Sequence, residues 1–452
     1  MLLRFVVSNF LSFAEEVEFN MFPGNFKIHK DHVYHTPEVD LLKTAAIYGA
    51  NGSGKSNFVK AIATLQEIVQ KGQVENLVGK DFHFKLDAAY SHKPTSFEVE
   101  IKKGKMYFAY GLDLLAGGIQ NEWLYQIFPA SGKQEIIFDR TVERSTGKTS
   151  IEANKKYLKN EKEKLRYEIY SEEIKASEVL LKRVTNRMKE ADMVVEWLLN
   201  DLWIIGADEE FGIDVELLMS GDTHFTEYLN KIIGEMDTGM VKLELQRIGF
   251  NHFFGEDDEY RARVETELDE NETNAVSFFD RDRQQTFVAR RENGTKWIEK
   301  LATYNIGQDE QVISLDKNEQ SDGTRRLLEL APILYELQNS ETVFIVDEIE
   351  RSLHPSVIKS YIDLIMTKKT KGQLVFTTHE SNLLDLDLFR QDEVWLVEKN
   401  KKGASKMYSL SEFKPRYDLD IRKGYLAGRF GAIPFLGNLK ELNWHHAEEQ
   451  GI

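Results

Sequence analysis

The chain has no cysteine. That absence excludes disulfides, thiolate metal sites and cysteine nucleophiles, and it suits a reducing, cytoplasmic setting. Long hydrophobic runs are missing too. Nothing approaches the ~20 consecutive apolar residues that a bilayer-spanning helix needs, so no membrane partner is expected. Positive charge is in deficit. At a net charge of −17 a general polyanion-binding surface is not expected, although a local basic groove would still admit nucleic acid. The first strand starts almost at Met1, with no basic region and apolar stretch ahead of it, so no signal peptide is expected. There is no fixed-period repeat and no low-complexity tract. What remains is ordinary in bulk. The chain has 452 residues, 41 % hydrophobic and 29 % charged, enough for two or three lobes with separate cores.

One stretch organises the rest. Gly49-Ala50-Asn51-Gly52-Ser53-Gly54-Lys55-Ser56 reads G-x-x-x-x-G-K-S, the phosphate-binding loop pattern. Three glycines let the backbone curl until its N–H groups point inward at an anion. Lys55 supplies a mobile point charge for β- and γ-phosphates, and the Ser56 hydroxyl suits Mg²⁺. The apolar run Thr44–Tyr48 before the loop predicts a buried strand. From Asn57 onward Phe58, Ile62 and Leu65 share one face of a helix. A helix starting at the loop aims its positive dipole end at the phosphates. A chance glycine turn would lack the strand and the helix.

Around this loop the pattern changes three times. Residues 1–20 predict two strands. Residues 22–43 look irregular and hold His29, His32 and His35 at three-residue spacing. No helix signal puts these on one face and no carboxylate completes a metal set, so a surface loop is expected. Short alternating runs between 95 and 140, punctuated by glycines, predict an antiparallel meander. From Leu180 to Leu202 apolar residues recur every three or four positions, predicting one amphipathic helix whose stripe faces a core or a subunit contact. Residues 222–235 predict a helix and Val241–Leu245 a strand. The acidic stretch Glu256–Glu272 predicts a mobile loop. Asn293-Gly294 marks a hairpin. The expected organisation is 1–150, 151–280 as a helical and acidic insertion, and 281–452.

Residues 320–400 alternate strands and helices, as a mainly parallel sheet requires. Thr324–Leu337 predicts a helix bent by Pro332. The apolar strand Val343–Val346 ends in Asp347 and Glu348, which places two carboxylates at the C-terminal edge of such a sheet. There Asp347 suits Mg²⁺ and Glu348 suits a base that orients an attacking water. Alone, the pair would read as solvated acids. The strand Leu374–Thr378 ends in His379, placed to hydrogen-bond a γ-phosphate or that water. Ser321, 26 residues before Asp347, could cap a helix, and Gly323 would let backbone approach a second anion. Nearly 300 residues separate Lys55 from Asp347, too many for a compact one-lobe nucleotide fold.

In this order the motifs resemble the ABC-type ATPase heads of SMC, RecF and OLD proteins: phosphate loop, inserted arm, signature, acidic strand, D-loop and switch histidine. The resemblance implies an α/β head, a mixed sheet with a P-loop core plus an antiparallel β lobe, carrying a helical insertion. It implies ATP and Mg²⁺, bound by Gly49 to Asn57 with Ser56 and Asp347 on the metal. It implies a head-to-tail homodimer or higher oligomer. In it Ser321 and Gly323 would contact the other subunit's ATP, Ser352 to Pro355 would form the D-loop, and Glu348 and His379 would act in hydrolysis. The signature lacks a double glycine, and Phe82-His83-Phe84 is the candidate for the Q-loop region. Three stretches also resemble stand-alone ATPases of bacterial anti-phage defence systems, the AbiL and PARIS type: Ile47–Gly52, Asp347–Pro355 and the tail Gly424–Phe435. That resemblance implies a nuclease-type effector partner, Toprim type included, and a phage protein as trigger. A DNA-clamping repair ATPase of the RecF or SMC kind is the alternative. A built-in nuclease is not expected, because Asp385-Leu386-Asp387 precedes Glu398 instead of following it. His445-His446 reads as a polar tail.

Overall fold

The computed structural model describes residues 1–74, 82–143, 145–207, 214–236, 239–367, 369–416 and 419–433. In chain order the first lobe contains β1 (Leu2–Ser8), β2 (Val17–Asn20), β3 (Val33–Tyr34), β4 (Leu41–Leu42), β5 (Thr44–Gly49) and α1 (Lys55–Lys71). It continues with β6 (Thr95–Lys103), β7 (Met106–Leu115), β8 (Gly118–Phe128), β9 (Lys133–Val142) and β10 (Thr149–Ala153). The middle holds α2 (Glu161–Glu173), α3 (Leu180–Arg183), α4 (Lys189–Glu196), β11 (Leu202–Ile205), α5 (Val215–Gly221), α6 (Thr223–Glu235), β12 (Met240–Gly249), α7 (Phe250–Phe254) and α8 (Asp258–Glu270). Then come β13 (Ala275–Asp280), β14 (Gln285–Glu292), β15 (Thr295–Ile306), β16 (Val312–Asp316), α9 (Asp322–Asn339), β17 (Val343–Val346), α10 (Pro355–Thr367), β18 (Gln373–Thr378), β19 (Val394–Lys399), β20 (Ser405–Ser409) and α11 (Ile421–Leu426).

The central sheet runs β11-β17-β18-β5-β19-β20. Its first five strands are parallel and β20 returns antiparallel on β19. Both faces are buried, which is why these strands read as continuous apolar runs. One face (Ile47, Val343, Ile345, Val375, Val397) packs with Phe58, Ile62 and Leu65 of α1 and with the inner face of an antiparallel sheet, β10-β9-β8-β7-β6-β1-β2. The other face (Ala46, Tyr48, Phe344, Phe376, Leu396) packs against Leu330 and Leu334 of α9 and Ile358 and Ile362 of α10. A third sheet, β12-β15-β14-β13 with β16 on β15, carries α5 to α8 on its own small cores. Its β14–β15 turn has Asn293 and Gly294 at φ 50° and 78°, as the hairpin signal requires. No helix of the described residues is long and apolar enough to cross a membrane.

Three local expectations need correction. The stripe from Leu180 to Leu202 is not one helix. Asn186 adopts φ 64° between α3 and α4, a π turn closes the segment, and Leu202 begins β11. The stripe residues Leu180, Val184, Met188, Ala191 and Leu198 are nevertheless all core. The stretch 256–272 is not a loop. It forms α8, capped by the Asp257 carboxylate on the Tyr260 amide, because Val264 and Leu268 (i, i+4) bury completely against the sheet. His32 does not lie in a surface loop; it is 3 % exposed and its Nδ1 meets Glu393 at 3.0 Å, while His35 turns away to Asp40. The helix expected over Thr324–Leu337 is α9, with Pro332 inside it.

The tail also has a place. The Tyr425 ring meets Tyr48 edge-on with centroids 6.2 Å apart. The Tyr408 hydroxyl donates to the Phe430 carbonyl (2.9 Å) and the Ala432 amide to Glu398 (3.3 Å). Residues 421–433 therefore lie along β5 and β19. Pro434, Phe435, His445 and His446 fall outside the described residues.

Candidate functional site

The sheet order explains why distant residues meet. β17, β18, β5 and β19 are neighbours and parallel, so their C-terminal ends share one edge. Asp347 and Glu348 follow β17, His379 follows β18, Gly49 ends β5 and Lys399 ends β19. Asn51 to Asn57, Glu348, His379 and Lys399 line one cleft of about 550 Å³. Ser321 and Gly323 are not among its lining residues.

The loop itself is tightly set. Gly54 precedes α1 at φ 119°, and a Cβ there would lie 2.8 Å from Ser12 Oγ and 2.5 Å from Ser405 Oγ. Only glycine fits. Ser405 Oγ donates to the Ser53 carbonyl (2.5 Å) and accepts from the Ser12 hydroxyl (2.8 Å), whose oxygen in turn accepts from the Asn57 amide (2.8 Å). The loop is thus braced by β20 and by the turn after β1. Ser53 Oγ is buried with no hydrogen-bond partner among the described residues.

Lys55 is 4 % exposed. Its ammonium donates to the Gly49 carbonyl (2.8 Å) and to His379 Nε2 (2.9 Å). Burial lowers its pKa to about 8, against the pull of Asp347, Glu350 and Glu348. His379 is pushed down by burial first and by Lys55 second, which keeps the imidazole neutral and able to accept. Its Nε2 lies 3.8 Å from Glu348 Oε1.

Asp347 is buried at the strand end. Its Oδ1 accepts from the Thr377 hydroxyl (2.5 Å), and that hydroxyl oxygen accepts the Glu348 amide (2.8 Å). Glu348 itself sits at φ 49°, a left-handed conformation that turns its carboxylate into the cleft. Ser321 caps α9 by accepting the Thr324 amide (3.2 Å). Gly323, in the first turn of that helix, lies so close to the turn after Glu348 that a Cβ would stand 2.8 Å from the Ser352 carbonyl.

The donor chemistry suits a magnesium nucleotide. Backbone amides at a helix start fit phosphate, as do a buried Ser53 hydroxyl with no hydrogen-bond partner and a Lys55 ammonium with no carboxylate partner among the described residues. The Ser56 hydroxyl and Asp347 carboxylate are hard oxygen ligands of the kind Mg²⁺ takes.

Three contributors were not anticipated. Lys399 reaches this edge only because β19 pairs with β5, a pairing that the sequence does not record. Thr377 and Ser405 act through the backbone geometry of neighbouring strands, which only the strand order shows.

The glycine loop between β5 and α1, with the acids that follow β17 on the same edge of a parallel sheet, defines a P-loop nucleotide-binding core. More particularly, residues 45–385 match the family described as "AAA domain, putative AbiEii toxin, Type IV TA system", and the chain belongs to it. No curated protein matches the chain. Solved structures similar to it include the SMC head domain from Thermotoga maritima, at 14 % identity and TM-score 0.38, covering 90 % of this chain and 98 % of that one. Another is an SmcHead bound to the C-winged helix domain of ScpA, at 13 % identity and TM-score 0.44, covering 92 % and 99 %. A third is the Smc head domain with an extended coiled coil, bound to the C-terminal domain of ScpA derived from Pyrococcus furiosus. It shows 12 % identity and TM-score 0.37, covering 91 % and 97 %.

Proposed function

We propose that this chain binds ATP with Mg²⁺ at the shared strand edge, hydrolyses it, and uses the cycle to close a head-to-tail dimer that controls a partner effector in anti-phage defence. The observation that carries the reading is the division of the expected site. Asn51 to Asn57, Glu348 and His379 line one cleft, with Gly49 and Asp347 at the strand ends beside it, whereas Ser321 and Gly323 are not among its lining residues. A second copy facing the first would bring its Ser321 turn to this edge, so the nucleotide would touch both subunits only when they are closed.

In this reading the loop amides and Lys55 hold the phosphates, and Ser56 and Asp347 hold the metal. Bound Mg²⁺ would neutralise charge on the β- and γ-phosphates. Glu348 accepts the proton of the attacking water, and His379 fixes that water or the terminal phosphate oxygens. The effector is of nuclease type, Toprim type included, a phage protein is the trigger, and the setting is cytoplasmic. The family's printed description, which names a toxin and a toxin–antitoxin system, supports the defence context.

Phosphate release and nucleotide binding by purified protein test this. Lys55→Ala should lose ATP binding. Glu348→Gln should keep binding, lose at least about a hundredfold in turnover and accumulate as a dimer with ATP in light scattering. Normal hydrolysis by Glu348→Gln would remove the base assignment. Strong stimulation of the wild-type rate by duplex DNA would favour the DNA-clamping repair reading. Co-purification with the product of an adjacent reading frame, released on ATP addition, would support effector control.

A further inference from the structure

Glu350 has no part in the reading above, yet it sits at the centre of the strand edge. Its Oε1 accepts the backbone N–H of His379 at 2.5 Å. Its Oε2 is buried with no hydrogen-bond partner among the described residues. A buried carboxylate oxygen left without a donor is costly, so the fold holds it there against its own preference. It is not free to swing out. Glu348 at φ 49° and Ser352 at φ 60° bracket it, and both are left-handed conformations that non-glycine residues rarely adopt. The Ile349 amide donates to the Thr377 carbonyl (3.2 Å), Arg351 to Glu348 (3.0 Å) and Leu353 to Glu350 (2.9 Å). The turn from 348 to 353 is therefore one unit pinned to β18.

The carboxylate also reaches three groups of the site through its field. It supports the charged form of Lys55 and of His379, and it raises Tyr48, whose buried hydroxyl likewise has no partner among the described residues. Tyr48 is the residue before Gly49. One side chain thus ties the acid-bearing turn, the switch histidine and the strand that leads into the phosphate loop.

We propose that Glu350 is a positioning residue for ATP hydrolysis, fixing the backbone at His379 so that its imidazole stands between Lys55 and Glu348. A strained turn used only for stability would need no acceptor aimed at the first residue past β18. This inference rests on the ATPase reading. The charged groups acting on the His379 ring are Lys55 from α1 and Asp347, Glu348 and Glu350 from the segment after β17; Lys399 at the end of β19 lines the same cleft.

The test compares wild type, Glu350→Gln and Glu350→Ala in steady-state ATP hydrolysis, with fluorescent-nucleotide binding measured separately. Gln keeps an acceptor for the His379 amide and drops the charge; Ala drops both. Glu350→Ala should lose at least about tenfold in kcat, with KM and nucleotide affinity within about threefold. Glu350→Gln should recover most of kcat. Its kcat–pH profile should move its acid limb to lower pH, because His379 has lost a neighbour that favoured protonation. A folded Glu350→Ala with wild-type kcat overturns the assignment. So does a Gln variant whose acid limb stays in place, which decides the matter if the Ala variant does not fold. If wild type itself neither binds nor hydrolyses ATP, the ATPase reading fails first and separately.

Discussion

Lys55 shows how a single residue can serve binding at the expense of stability. Its ammonium is buried against backbone carbonyls and a neutral imidazole, and no carboxylate stands within ion-pair distance of it among the described residues. Burial lowers its pKa from 10.5 to about 8. Below pH 8 both folded and unfolded chains carry the charge, and the folded chain bears the full cost of burying it. Between pH 8 and 10.5 the unfolded chain binds the proton that the folded chain has released, so stability rises with pH across that window. Lys55→Met should therefore raise the unfolding free energy at pH 7 by about 1–3 kcal/mol, an advantage that fades towards pH 10, while it removes ATP binding. Thermal melts across pH with and without ATP check both halves. A phosphate reverses the balance by favouring the charged form, so ATP should bind more weakly as pH rises above 8 and should take up protons there. Calorimetry in buffers of different ionisation enthalpy measures that uptake.

At the scale of elements the same logic separates what could be read in advance from what could not. The strands that flank the site, β5, β17, β18 and β19, were legible because burial on both faces leaves an unbroken apolar run ending in polar residues. The antiparallel meander and the Asn293-Gly294 hairpin were legible from turn chemistry. The segment from Leu180 to Leu202 was legible as core but not as shape, since a periodic stripe does not record that Asn186 turns left-handed and splits the helix. The α8 helix was missed because its acidic composition hides two apolar contacts, Val264 and Leu268. Leu268→Ala should cost about 2–4 kcal/mol, read from urea unfolding; a loss under about 1 kcal/mol would mean the helix is not packed there. The strand order that gathers the site could not be read, because pairing of β11 with β17 or β19 with β5 leaves no local trace. Nor could the closeness of two helix-start and D-loop residues. A methyl group at Gly323 would press on the Ser352 carbonyl, which belongs to the turn that carries Glu348. Gly323→Ala should therefore slow hydrolysis by several-fold to about a hundredfold while leaving nucleotide affinity of the isolated subunit near wild type. Equal turnover would show that the turn can yield.

For the whole molecule the decisive question is whether an active site is made by one chain or two. The phosphate loop and Glu348 at the acidic strand end line one cleft, and the Ser321 turn is not part of its lining. If sites are composite, two defects, one in the loop and one in the Ser321 turn, must complement each other. A Lys55→Ala chain keeps a sound Ser321 turn, and a Ser321→Arg chain keeps a sound loop, metal ligands and Glu348. Each alone should be inactive. Mixed in equal amounts with exchange, half the dimers contain one of each, and each such dimer has one intact composite site out of two. The mixture should then recover about a quarter of wild-type ATPase activity, whereas adding a chain that carries both substitutions to either single variant should recover nothing. Phosphate release from these mixtures, with dimer formation followed by light scattering, gives a direct count. Activity in the Ser321→Arg protein alone would place the whole reaction within one chain, and inactive mixtures despite confirmed exchange would show that the Ser321 turn does not complete a neighbour's site.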